Sequence, residues 1–314
     1  MAPGRGATPC RFSKTAGTSS PGPRRSDREP SLRRADSRAL SGNGGVVTFR
    51  HVAGIAYNSF DLDRLRRQIR PLHLHWFPRL RSTNDHAAML RRRGELFAPA
   101  MVLTGRQIAG RGRNTNTWWS GPGCLTVTFV LPIDEQLAAH QVPLLAGLAV
   151  RNAVVAISGE SSILLKWPND LIHRGRKLAG ILCERLGRAD LIGVGLNVNV
   201  APDEPPGPLR ARVTSLSQIV GRTLDKTDVL IALTNQIYSM LLRKREHPFA
   251  AALREYDQHH ALLGRRISVS VSSDAPAITG TCKGLDSIGR LLVRTRGGQT
   301  HRIIAGQVQL GSTP

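Results

Sequence analysis

Gln107-Ile108-Ala109-Gly110-Arg111-Gly112-Arg113 alternates glycine with arginine and runs through Asn114-Thr115-Asn116-Thr117 into Trp118-Trp119-Ser120. Glycine lets backbone N–H groups crowd an anion with no Cβ in the way, and Arg111 and Arg113 add delocalised charge in a fork that matches phosphate or carboxylate. Gln107 can donate and accept. The pattern is neither a Walker A loop nor G-x-G-x-x-G, so the common nucleotide cradles do not account for it. A solvated Gly/Arg loop would read the same way. The tryptophan pair, half of the chain's four, adds flat faces on which a base could stack.

A second cluster, Leu165-Lys166-Trp167-Pro168-Asn169-Asp170, ends an apolar strand in polar residues, and Lys177-Leu178-Ala179-Gly180-Ile181-Leu182 opens the next. Lysine is scarce here, six against 38 arginines, yet Lys166 and Lys177 converge with Asp170 at neighbouring strand ends. The plain alternative is a hairpin rim whose exposed ion pair contributes little. Ser82-Thr83-Asn84-Asp85 reads as a capping box, with Ser82 as N-cap and Asp85 at N3. The same helix start offers donors and acceptors to a ureido or carboxylate group. Gly193-Val194-Gly195-Leu196-Asn197-Val198-Asn199 is a glycine-interrupted strand whose Asn197 could present an amide to an adenine edge.

These clusters need a scaffold of alternating strands and helices. Strand patterns cover Leu74–Phe77, Ala100–Thr104, Cys124–Leu131, Ile163–Trp167, Lys177–Glu184 and Leu191–Val198, with Gly175 as a turn after the fourth. Helical spacing predicts Ser82–Arg93, a long helix capped by Asp134 and running to Ser158, and Thr227–Arg245. Ala201–Pro208 is too rich in proline for regular structure. Beyond a boundary near Leu263-Gly264, short runs at Ile267–Val271, Ile278–Lys283, Leu291–Arg294, His301–Ile304 and Val308–Leu310 have the texture of a small barrel.

The chain has 314 residues, 40% hydrophobic and 21% charged, and a mean hydropathy of −0.19. That excludes a mostly disordered or collagen-like protein and allows one catalytic-sized domain plus a smaller one. No run of apolar residues is long enough for a transmembrane helix, and the N-terminus lacks a secretory h-region. Cys10, Cys124, Cys183 and Cys282 form no C-x-x-C pair, which points away from zinc or a disulfide framework and toward a reducing, cytoplasmic setting. The net charge of +22 fits a polyanionic partner, but an Arg excess of this kind also arises from codon bias in a GC-rich genome. Residues 1–45 read as a disordered basic tail carrying +6 of that charge. They resemble an organellar transit peptide or the product of a start placed too far upstream.

In order, S-T-N-D, Q-x-x-G-R-G-R, W-W-S-x-P-G, K-W-P-N-D, G-R-K-L-A-G-I-L and G-x-G-x-N-x-N resemble the catalytic domain of the biotin protein ligases (biotin–[acetyl-CoA-carboxylase] ligases). The resemblance implies an α+β fold: a mixed-sheet catalytic domain of the biotin/lipoate ligase type, class II synthetase-like, over 46–262, and a C-terminal SH3-like small β-barrel over 263–314. It implies ATP and biotin as ligands with Mg²⁺, formation of biotinyl-5′-AMP and pyrophosphate, and transfer of biotin to a lysine of the biotin carboxyl carrier protein of acetyl-CoA carboxylase and related carboxylases. Ser82, Thr83, Asn84, Gln107, Arg111, Gly112, Arg113 and Lys177 would contact biotin. Gly110, Arg111, Arg113, Trp118, Lys166, Asn169, Asp170 and Asn197 would contact ATP. Arg111, Arg113, Lys177 and Asp170 would carry the chemistry, Asp170 by assisting deprotonation of the incoming lysine or by holding Mg²⁺.

One departure stands out: Asn114–Thr117 carries no charge where the family loop continues with glycine and another basic residue, which predicts weaker or different retention of the adenylate. The tail is unlike a helix-turn-helix domain, so no DNA binding is expected; nor is membrane attachment, while a homodimer is allowed. Two alternatives remain at this stage, a lipoate or octanoate ligase or transferase of the same fold and a basic nucleic-acid-binding protein. Much of the remaining charge reads as Arg-rich surface suited to docking an acidic carrier domain.

Overall fold

The computed structural model describes residues 60–242, 248–272 and 275–310, which fall in one compact unit. The expected basic tail 1–45, residues 46–59 and the predicted end of the helix at Arg245 lie outside the described residues.

β-branched, two-sided apolar sequence makes Cys124–Pro132 (β5) a central strand, buried along all but its last residue. Around it a seven-stranded sheet has the order β1-β2-β5-β9-β8-β7-β6. The other strands are His73–Leu80 (β1), Ala100–Gln107 (β2), Leu164–Lys166 (β6), Asp170–His173 (β7), Arg176–Leu186 (β8) and Ala189–Asn197 (β9). β1 and β2 run parallel and the other neighbours antiparallel, so the sheet is mixed. Gly110–Arg111 (β3) and Thr117–Trp118 (β4) form a separate small hairpin.

Strand alternation divides the sheet's faces. Leu125, Val127, Phe129 and Leu131 of β5 and Ile192, Val194 and Leu196 of β9 face the main core. There they meet Val142–Ser158 (α3) and Lys226–Leu242 (α6). On the other face Thr83–Arg92 (α2) covers Ala100, Val102, Val130, Ala189 and Leu191. Beside α2 that same face carries Thr126, Thr128, Gly193 and Gly195 in register, Thr126 opposite Gly195 and Thr128 opposite Gly193. Short side chains leave a hollow there.

Ser82 caps α2 as predicted, its Oγ accepting from Asp85 N at 3.3 Å. The long helix starts at Val142, not after Asp134. Pro143 sits in its first turn, Asp134 Oδ1 instead accepts from Gln136 N at 2.8 Å, and Gln141 Oε1 accepts from Ala138 N at 2.9 Å, so residues 134–141 form turns. Helices α1 (Leu62–Gln68) and α5 (Leu216–Val220) and strand β7 escaped the sequence reading because each is short, and α7 (Phe249–Gln258), as long as α2, was missed as well. One helical turn, α4 (Gly207–Arg210), reaches into the segment expected to be irregular.

The C-terminal strands β10 (Arg266–Ser270), β11 (Ile278–Leu285), β12 (Leu291–Arg294), β13 (Thr300–Ile303) and β14 (Gln307–Leu310) form an antiparallel sheet of order β13-β12-β11-β10-β14. No helix among the described residues is long and apolar enough to cross a membrane.

Candidate active site

A cleft of about 770 Å³ opens over the hollow in the sheet. Every site position named from the sequence lines it except Gly110, which faces a neighbouring hollow outside the β3–β4 hairpin. A side chain at Gly110 would meet Gln107 Nε2 and Trp118 O, each 2.5 Å from an added Cβ.

One end of the cleft is neutral and rich in hydrogen bonds. Ser82, Thr83 and Asn84 are buried at the start of α2. Gln107 Oε1 accepts from Thr83 N at 2.8 Å and from Thr83 Oγ1 at 3.2 Å. Thr128 Oγ1 lies 2.8 Å from Thr83 Oγ1 and donates to Asn84 Oδ1 at 2.6 Å. Both Nδ2 hydrogens of Asn84 are used, on Leu182 O at 3.2 Å and Glu184 Oε2 at 2.8 Å. Asn84 can therefore offer a ligand only the spare lone pair of its Oδ1.

The Gly/Arg segment is a hairpin. Gly112 N donates to Asn116 O at 2.7 Å and Asn116 N to Arg113 O at 3.1 Å. Asn114 takes φ +54° and Asn116 Nδ2 donates to Arg113 O at 3.0 Å. Asparagine tolerates that left-handed turn, which gives a physical reason for Asn114 at this position. Arg111 is held by Glu184 at 2.8 Å and Asp85 at 2.6 Å. Burial opposes its charge, but hydrogen bonds to Glu184 and Asp85 outweigh that and raise its pKa. Asp85 thus serves Arg111 as an ion-pair partner, with Ser82 supplying the cap. Burial lowers the pKa of Arg113, with Asp170 opposing, and its Nη1 donates to Gly306 O at 3.4 Å.

The opposite end is cationic. Lys177 Nζ lies 2.7 Å from Asp170 Oδ1 and 5.8 Å over the Trp118 ring. Trp118 lies on Gly195, where an added Cβ would come within 2.4 Å of the indole, and its buried Nε1–H has no acceptor among the described residues. Asn169 Nδ2 donates to Ile181 O at 2.7 Å, and Asn197 Nδ2 to Thr214 O at 3.0 Å, so both amides brace the walls. Burial lowers the pKa of Lys166 most; Asp170 opposes it, while Lys177 and Arg212 add to it. A lysine with a lowered pKa loses its charge at a lower pH than an ordinary one. Binding of a polyphosphate is therefore expected to weaken in the alkaline range at a lower pH than an unshifted lysine would allow, and Lys166→Arg to flatten that dependence, read from the nucleotide KM across that range.

Residues 76–200 match the Biotin/lipoate A/B protein ligase family and residues 262–311 the Biotin protein ligase C terminal domain. The chain is 31% identical over 228 residues to the bifunctional ligase/repressor BirA of Bacillus spizizenii, covering 67% of this chain and 66% of that protein. With the biotin–[acetyl-CoA-carboxylase] ligase of Paracoccus denitrificans it shares 30% identity over 229 residues, 70% of this chain and 94% of that one. The chain belongs to the biotin protein ligase family. It is accordingly an enzyme of the ligase class, and neither the lipoate/octanoate nor the nucleic-acid alternative is favoured. The biotin protein ligase from Aquifex aeolicus in complex with biotin and ATP superposes with a TM-score of 0.67 at 27% identity, over 76% of this chain and 99% of that one.

Within this biotin protein ligase fold, four contributions were missed from the sequence: Thr128, Glu184, Arg212, and the segment Gly306–Leu310 of the C-terminal sheet, which lines the cleft. Thr128 follows Thr126 on one face of an otherwise apolar strand and Glu184 with Arg185 ends the apolar run of β8, and those interruptions were the available signal. Arg212 was lost among 38 arginines, and nothing local marks Gly306–Leu310.

Proposed function

We propose that the chain is an ATP-dependent biotin protein ligase that joins biotin to the α-phosphate of ATP and then passes the biotinyl group to a lysine of a biotin carboxyl carrier protein. The observation that carries this is one cleft with two chemically different ends. The neutral end, Ser82, Thr83, Asn84 and Gln107, suits the ureido group of biotin. The cationic end, with Arg113, Lys166 and Lys177, suits the phosphates, and Trp118 offers its ring to the adenine. The co-complex of the Aquifex protein with biotin and ATP supports the pairing.

In the first step a biotin carboxylate oxygen attacks the α-phosphorus and the bond to pyrophosphate breaks. Two anions must meet, so the chain's work is positioning and positive charge. In the second step the amine nitrogen of the carrier lysine attacks the acyl carbon, AMP leaves with the electrons of the broken C–O bond, and Asp170 takes the amine proton. No covalent enzyme intermediate is needed.

Mg²⁺ was expected at Asp170. Among the described residues that is the one carboxylate lining the cleft, and it already pairs with Lys177. Among the described residues no group of three or more His, Cys, Asp or Glu could hold a metal ion. The protein's own donors do not fit a resident Mg²⁺; magnesium carried by the triphosphate would enter as part of the substrate.

We further assign catalysis to a domain over 46–262 and a supporting role to 263–314. A cytoplasmic setting is supported by the free thiols of Cys124, Cys183 and Cys282. A homodimer is supported by β1, which pairs on one side only among the described strands and leaves an edge for a second copy. Absence of DNA binding rests on the composition of the tail, and salt-sensitive retention on DNA would refute it.

The deciding assay is transfer of biotin to a carrier domain with ATP omitted as the control; transfer without ATP, or none with it, overturns the reading. In the same assay Arg113→Ala is expected to lower the rate about a hundredfold or more, and normal transfer by that variant would remove Arg113 from the phosphate site.

A further inference from the structure

Glu184 lies on β8 just past the G-R-K-L-A-G-I-L run, outside every motif. Its carboxylate accepts from Asn84 Nδ2 at 2.8 Å and takes Arg111 Nη2 at 3.0 and 2.8 Å on its two oxygens. The same Arg111 nitrogen lies 2.6 Å from Asp85 Oδ1, and Asp85 follows Asn84 in the first turn of α2. The start of α2, the β3–β4 hairpin and β8 therefore close a ring of polar contacts through one carboxylate. Asn84 is 3% exposed, so without Glu184 one of its amide hydrogens would be left buried and unpaired. The ion pair alone, about 40% exposed on both partners, would add little. Its weight comes from sharing an oxygen with a buried amide. Arg111, neutralised from two sides, is a tether for the hairpin, which leaves Arg113 as the hairpin's cation for a phosphate.

We propose that Glu184 is a positioning residue that couples the biotin end of the cleft to the arginine hairpin, so that seating a ligand against Asn84 and holding the Gly112-Arg113 backbone over the cleft become one event. The inference rests on the proposed function. Coupling of this kind is reciprocal, so each ligand should tighten the other, typically about 5- to 150-fold.

The test uses the full chain as wild type, Glu184→Gln, Glu184→Ala, Arg111→Ala and the Glu184→Ala/Arg111→Ala double variant. Biotin affinity is measured with and without α,β-methylene-ATP. Glu184→Ala should weaken biotin about 10- to 100-fold, the range of a lost hydrogen bond to a charged group, and reduce the nucleotide-dependent tightening to less than about twofold. In Glu184→Gln the side-chain oxygen still accepts from Asn84, but the neutral amide loses the charge and the second acceptor oxygen that grip the guanidinium. That variant should recover most of the biotin affinity and none of the tightening. Arg111→Ala should lose the tightening as well, and the double variant should tighten no less than Glu184→Ala alone.

Full tightening in Glu184→Gln overturns the coupling, as does an equal loss of biotin affinity with and without nucleotide, the signature of a purely structural residue. Wild type that binds biotin and forms the adenylate but shows no tightening also overturns it while leaving the proposed function standing. Wild type that does neither ends both.

Discussion

Lys177→Ala is expected to slow biotin-dependent pyrophosphate exchange by about 10²–10³-fold, the usual effect of removing one preorganised group that stabilises developing charge. The ammonium lies 2.7 Å from Asp170 and 5.8 Å over the Trp118 ring, and the Lys177 backbone is fixed by bonds from its N to Arg212 O at 2.8 Å and from Thr214 N to its O at 2.9 Å. Its removal takes away a positive charge and also leaves the Asp170 carboxylate facing the phosphates, so repulsion replaces attraction. The loss should fall on kcat with the KM for biotin little changed, because the neutral end of the cleft is untouched. Exchange within about threefold of wild type would exclude Lys177 from the adenylation step. The adjacent Asp170 is then separable by supplying chemically prepared biotinyl-5′-AMP, since Asp170→Asn should slow transfer from the adenylate more than its formation.

The second large effect is expected at Gly193, a residue with no side chain to lose. An added Cβ would sit 2.3 Å from Asn84 Oδ1 and 3.2 Å from Leu182 O. Asn84 is short, buried and held by Thr128, Leu182 and Glu184, so it cannot step aside without breaking those bonds. Two buried hydrogen bonds left unmade cost about 3 kcal/mol, near a hundredfold in affinity. Gly193→Ala should therefore raise the KM for biotin about a hundredfold while leaving the affinity for ATP measured without biotin within about threefold. Gly195→Ala, two residues along the same strand, should do the reverse, because its Cβ meets the Trp118 indole at 2.4 Å. Equal effects of the two substitutions on both ligands would show that the cleft does not divide into two ends along β9.

Much of this was legible from local pattern. The near-continuous apolar runs of β2, β5 and β9 announce themselves because strands buried on both faces have little freedom to be polar. The five short strands of the C-terminal sheet and the Ser82 cap were legible for similarly local reasons. The ordered motifs likewise lie in contiguous residues, and all of their named positions but Gly110 reach one cleft. What local pattern mis-set were boundaries decided by competition. Asp134 has the chemistry of an N-cap, but the helix starts at Val142 with Pro143 in its first turn, and the intervening side chains bond into turns instead.

By itself, then, the sequence determined the α+β class, the order of the main strands, the family and all but one of a set of residues that meet around one cleft, because those properties are written in neighbouring residues and their spacing. Tertiary structure alone decided what those residues do to one another. Thr128 reaches Asn84 because β5 pairs with β9 in the register that sets Thr128 opposite Gly193. Among the described residues Arg111 is ion-paired and Arg113 is not, because Glu184 and Asp85, 73 and 26 residues away in sequence, converge on the first and not the second. Gly306 joins the cleft because the C-terminal sheet turns its β14 end toward the arginine hairpin. Such contacts join positions far apart in the chain, and no local spacing encodes them; only the register of the sheet and the packing of one element on another bring them together.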